Sequence, residues 1–137
     1  MVCIYCGSTT QVKNSRTSAK YNTVWRRRAC LACSSIFTTL EETDLGGSFV
    51  VKNSGGKLHP FNRDKLFIDI YESCRHRPTA TEDASSLIKI ITSLLLKDTQ
   101  DGVISSSDIV KAASLTLKRF DSAAAVIYEA YHSKEKS

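Results

Sequence analysis

No apolar run in this chain approaches the ~18 residues that a membrane-spanning helix requires. The longest apolar-rich stretch, SSLIKIITSLLL, is interrupted by Lys89, Thr92 and Ser93. The N-terminal MVCIYCGSTT has neither the basic nor the apolar region of a secretory signal, so a cytoplasmic protein is the default expectation. Five cysteines is an odd number, which argues against a disulfide framework in such a chain. There is no glycine-rich loop followed by Lys-Ser/Thr and no evident general base. A nucleotide hydrolase is disfavoured, and the chain is expected not to be an enzyme. Acid is also missing locally: residues 11–28 hold Lys13, Arg16, Lys20, Arg26, Arg27 and Arg28 with no Asp or Glu.

The 137 residues, 42% of them hydrophobic, suit one ordinary domain or two small ones with a packed core. The formal charge is +5, and beyond residue 46 the thirteen basic and eleven acidic residues nearly balance. The excess therefore sits in the first third of the chain. A basic cluster on a small module points to a polyanion, nucleic acid foremost.

Cys3-x-x-Cys6 and Cys30-x-x-Cys33 supply two knuckles separated by 23 residues. Each two-residue spacer lets both sulfurs face one point, and two such pairs suit one tetrahedral Zn²⁺. Gly7 permits the tight turn after the first pair. TTQVKNS, NTVWRRRA and SIFTTLE read as three short β-strands, so residues 1–43 are expected to form a zinc ribbon. The competing readings are a redox dithiol and plain core cysteines; the first needs a βαβ context that is absent. All four ligand positions are filled by protein, which leaves no open position for a catalytic water. With the metal and four thiolates counted, the net charge falls from +5 to about +3.

Within the ribbon, WRRRAC places three arginines on one predicted strand. Alternation sends Arg26 and Arg28 to one side, ~7 Å apart, and Arg27 to the other. Trp25 could stack on a base or cover the ribbon core, and Arg16 could extend the patch from the neighbouring strand. A solvated charge run is the bland alternative. Because no acid lies near the run until Glu41, nucleic acid is the favoured partner.

DLGGS, residues 44–48, reads as a linker. Residues 48–137 read as a β-hairpin (SFVVK and KLH flanking NSGG) followed by four helices. Asn62 is placed to cap the first helix, which carries Leu66, Phe67, Ile70, Tyr71 and Cys74 on one stripe and is stopped by Pro78. The second begins near Thr81, the third is capped by SSSD, and the fourth is capped by Asp121 and carries Ala124, Ile127, Tyr128 and Tyr131. Cys74 is expected to be a buried structural thiol, His76 to face solvent and His132 to lie in a fraying tail. Lys65, in the first turn of its helix, opposes the helix dipole unless an anion binds there. Solvent or a nearby aspartate is the simpler partner. The expected fold class is α+β: a small all-β zinc ribbon followed by a mainly α module.

The order of zinc ribbon, RRRACLACSSIFTTLEE, FVVKNSGGKLHPFNRDKL and four helices resembles the NrdR family of bacterial transcriptional repressors of ribonucleotide reductase genes. NSR at 14–16, the arginine run and FTT at 37–39 followed by Glu41 carry the resemblance most specifically. It implies a ribbon that binds an operator in double-stranded DNA through residues such as Arg16, Trp25, Arg26, Arg27 and Arg28. It also implies an ATP-cone that binds ATP or dATP and sets a homo-oligomeric state, with dATP promoting repression. Carried over, Val50, Lys52, Asn62, Lys65, Leu66 and Ser106 match the nucleotide positions. Asn53 stands for an arginine, His59 for an acid, Ala125 and Ile127 for the Y-x-R of the last helix, and Ile36 for the arginine before FTT. These departures keep open an alternative, a constitutive nucleic-acid-binding ribbon whose degenerate cone serves only oligomerisation.

Overall fold

The computed structural model describes residues 1–133, which divide into two compact units, 1–43 and 44–133. The first is a three-stranded antiparallel sheet of β1 (Thr10–Ser18), β2 (Thr23–Cys30) and β3 (Ile36–Glu41), in the order β1-β2-β3. Its buried cluster is Cys3, Cys30 and Phe37, and Tyr5 meets Phe37 edge to face with centroids 6.5 Å apart. So small a core cannot hold a sheet of this size on apolar burial alone. The register of β1 against β2 slips between Val12 and Asn14, which leaves Lys13 as the extra residue of a β-bulge.

The second unit opens with α1 (Leu45–Ser48), a single turn N-capped by Asp44, whose carboxylate accepts from the Gly47 amide. The sequence reading made this segment a linker; the Asp44 cap winds it into the helical unit instead. There follow β4 (Val50–Lys52), β5 (Leu58–Pro60), α2 (Arg63–Ser73), α3 (Ala80–Asp98), β6 (Val103–Ser105), α4 (Ser106–Phe120) and α5 (Ser122–His132). β4 lies between β5, antiparallel to it, and β6, parallel to it. β6 was not expected from the sequence. Gly102, at φ +75°, turns the chain so that its carbonyl accepts from the Val50 amide.

Asn62 caps α2 by accepting from the Lys65 amide, Ser105 caps α4 through Asp108, and Asp121 caps α5 through Ala123 and Ala124. α2 ends at Ser73, five residues before Pro78. The core gathers Ile70, Ala84, Ile88, Ile91, Leu117 and Tyr128 from all four long helices, with Phe61 and Ile104 from the sheet side. Tyr131 was read as part of the apolar stripe, but it is 78% exposed, in the last turn of α5. No described helix is long and apolar enough to cross a membrane.

Candidate metal centre and nucleic-acid face

The four ribbon cysteines converge. Cys3 Sγ lies 3.8 Å from Cys33 Sγ, Cys6 Sγ lies 3.5 Å from Cys30 Sγ, and all four sulfurs fall within 4.8 Å of one another. A regular tetrahedron with bonds of about 2.3 Å has edges of about 3.8 Å, so the cage fits Zn²⁺. Two features of the chain build it. Gly7 adopts φ +76°, and the Gly7 amide donates to the Cys3 carbonyl, closing the first knuckle. The amides of Tyr5, Ala32 and Cys33 point at sulfur, the first at Cys3 and the other two at Cys30, at 3.3–3.4 Å. Such donors stabilise thiolate. The hydroxyl and amide of Ser8 pull the Cys6 thiol below its ordinary range, and those of Ser35 do the same for Cys33. Cys3 and Cys30 are buried while Cys6 and Cys33 are exposed.

Cys30 ends β2, so the cage anchors the strand that carries the arginines. Arg27 is exposed, and its side chain has no ion-pair or hydrogen-bond partner among the described residues. Arg26 pairs with Glu41 at 3.1 Å, and Arg28 Nε donates to Thr39 Oγ1 at 3.1 Å. Arg16 lies over the half-buried Trp25 ring, 5.8 Å from its centroid. Asn14 and Thr38 lie opposite Arg27 on the two flanking strands. The sequence reading singled out their motifs, NSR and FTT, without giving either residue a role; the strand register, which the Lys13 bulge shifts, sets them beside Arg27.

A family profile described as "Transcriptional repressor NrdR-like, N-terminal domain" matches residues 1–41. Proteins named Transcriptional repressor NrdR are similar over most of the chain. That of Afipia carboxidovorans is 37% identical over 127 residues, covering 92% of this chain and 79% of the relative. That of Rhodospirillum centenum is 37% identical over 131 residues, covering 93% and 82%. The chain belongs to the NrdR family of transcriptional repressors. A shorter match, 42% over 82 residues, joins it to the NrdR of Symbiobacterium thermophilum, covering 60% of this chain and 54% of that one.

In the second unit, the nucleotide positions that the NrdR resemblance implied occupy several elements. Lys52 is exposed at the end of β4, in register with Leu58 and with Ser105 of β6, next to Ser106 at the start of α4. Val50 is half-buried on the same strand. Lys65 is exposed in the first turn of α2, beside the Asn62 cap, whereas Leu66 is only 5% exposed and belongs to the core. Asn53 builds the hairpin turn. Its side-chain oxygen accepts from the Gly55 and Lys57 amides at 3.0 and 2.9 Å, and its amide nitrogen lies 3.4 Å from His59 Nε2. Ala125 is buried and Ile127 half-buried on α5.

His76 is exposed, as the sequence reading has it, and its Nε2 also lies 2.9 Å from Asp121 Oδ2. Arg77 bridges Asp121 and Asp83 and covers the Phe120 ring at 4.5 Å. His132 is not frayed: it stacks on Tyr128 at 4.1 Å, and its Nδ1 lies 2.9 Å from the Tyr128 carbonyl. Cys74 is fully buried; burial raises its pKa, helped by the nearby charges of Asp83 and Asp121.

Proposed function

We propose that this chain is a nucleotide-responsive, zinc-dependent DNA-binding transcriptional repressor of ribonucleotide reductase genes, acting in the cytoplasm and without catalytic activity. The observation that carries this reading is a cage of four cysteine sulfurs, all within 4.8 Å of one another, anchoring a basic strand in a chain of the NrdR family. Zn²⁺ held by Cys3, Cys6, Cys30 and Cys33 fixes the ribbon. The ribbon surface bearing Arg16, Trp25 and Arg27 meets an operator in duplex DNA. Arg26 and Arg28 were expected beside them but are engaged by Glu41 and Thr39.

ATP or dATP binds where Lys52, Lys65 and the N-termini of α2 and α4 offer cations and free amides to phosphate, with Asn62 and Ser106 at those termini. Val50 and Leu66 shape the site from the core side. Bound nucleotide favours one homo-oligomer, and pairing ribbons on linked half-sites raises affinity through effective concentration. The test is DNA binding by the zinc-loaded chain, on a duplex it selects from a random pool, with ATP and dATP titrated in turn. Affinity should differ between the two nucleotides.

A second reading is favoured by Asn53, whose side chain is committed to the hairpin turn where the family's arginine would offer a cation. In that reading the ribbon binds constitutively and the cone only oligomerises. Calorimetry detecting no nucleotide binding, with DNA affinity unchanged, would select it.

A further inference from the structure

We propose that the ribbon reads duplex DNA with one face of its sheet, that Arg27 is the base-reading residue there, and that Arg26 and Arg28 brace the opposite face. This rests on the DNA-binding reading above and assigns the base-reading role within it to one face and one residue. Directly opposed residues in an antiparallel ladder share a face. The register therefore puts Asn14, Arg27 and Thr38 on one face, and Arg16, Trp25 and Leu40 with them. Ser15, Arg26 and Thr39, with Val12, Arg28 and Phe37, form the other. In a regular strand Val12 and Asn14 would share a face; the bulge at Lys13 separates them and delivers Asn14 to the side of Arg27.

Side-chain contacts agree with that division. Arg16 lies over Trp25 on one side, while Arg26 meets Glu41 and Arg28 meets Thr39 on the other. Burial agrees as well: Phe37 is buried, whereas Ile36, Thr38 and Leu40 between and beyond it are exposed. The face of Arg27 carries no carboxylate, because Glu41 pairs with Val24 and points with Arg26. It thus combines an unpaired guanidinium with an amide, a threonine and exposed apolar groups. That set matches base edges: a guanidinium fork grips guanine O6 and N7, an asparagine amide grips adenine N6 and N7, and apolar groups meet the thymine methyl. Arg26 already has its charge met by Glu41, and Arg28 has its Nε occupied.

The test uses the zinc-loaded full chain and a duplex selected by it from a random-core pool. Binding is then measured at several salt concentrations for the selected and a scrambled duplex. Arg27→Lys keeps the charge but loses the fork, so the preference for the selected duplex should fall about tenfold or more with the salt slope retained. Arg16→Ala should lower the log–log salt slope by about 0.9 and leave the preference. Arg26→Ala and Arg28→Ala should hold the preference within about threefold while reducing amide protection along β3. If Arg27→Lys keeps the full preference, the assignment of faces is wrong. Arg26→Ala or Arg28→Ala erasing it, with zinc content and amide spectrum intact, would also overturn the assignment. A wild-type chain that selects no duplex, or prefers single strands, overturns the DNA-binding reading and this proposal together.

Discussion

Asp121 serves four partners. Its carboxylate accepts from the amides of Ala123 and Ala124 to cap α5, and it also meets His76 and Arg77 from the turn after α2. The same residue therefore starts one helix and fastens the exit of another. The contact with His76 and the α5 amide bonds hold its carboxyl well below the usual carboxylate range, and Arg77 with Thr79 lowers that of Asp83. A carboxylate whose folded pKa is depressed contributes stability at pH values above its unfolded pKa, about 3.9. That contribution is lost as pH falls through the folded values. Asp121→Asn should thus lower the urea midpoint of the second unit at pH 7, and the gap from wild type should close below about pH 4. A gap that stays constant from pH 7 to pH 2 would show that the charge on Asp121 plays no part.

The helices were legible at the scale of elements because their signals are local. Asn62 and Asp121 stand at the caps, and Leu66, Ile70 and Cys74 repeat at helical spacing. β6 was illegible because three residues after a turn carry no periodicity, and its pairing with β4 is parallel and distant in sequence. α1 was misread because a Gly-Gly pair looks like a linker until Asp44 caps it. Once formed, α4 is the element that α3, α5 and β6 all contact, and Leu117 at its inner face has no exposure. Leu117→Ala should cost about 2–5 kcal/mol, read as a lower denaturation midpoint. Gly102 sits at φ +75°, and an added Cβ there would lie 3.4 Å from the Ser48 carbonyl oxygen. Gly102→Ala should destabilise the unit by about 1 kcal/mol or more, with β6 losing amide protection first.

Across the whole molecule the two units are held together by different physics. The second has an apolar core drawn from all four long helices and needs no ligand to exclude water from it. The first buries only Cys3, Cys30 and Phe37, so its order is expected to come from a metal that its four sulfurs are placed to hold. This difference explains what the sequence disclosed about the site. The cysteine spacing is a local signal and revealed the cage directly. Alternation along β2 already separates Arg27 from Arg26 and Arg28, but the delivery of Asn14 to the face of Arg27 depends on a one-residue bulge in a neighbouring strand, which spacing does not encode. It also yields a test of the metal assignment independent of DNA. Removing zinc with a chelator, or replacing Cys30 with serine, should collapse the amide signals of residues 1–43 while the thermal transition of the second unit shifts by no more than a few degrees. Restoring Zn²⁺ should recover the ribbon signals in the wild type and not in Cys30→Ser. Ribbon signals that stay dispersed in the metal-free protein would mean that the sheet stands by itself and that the cage is not what positions Arg27.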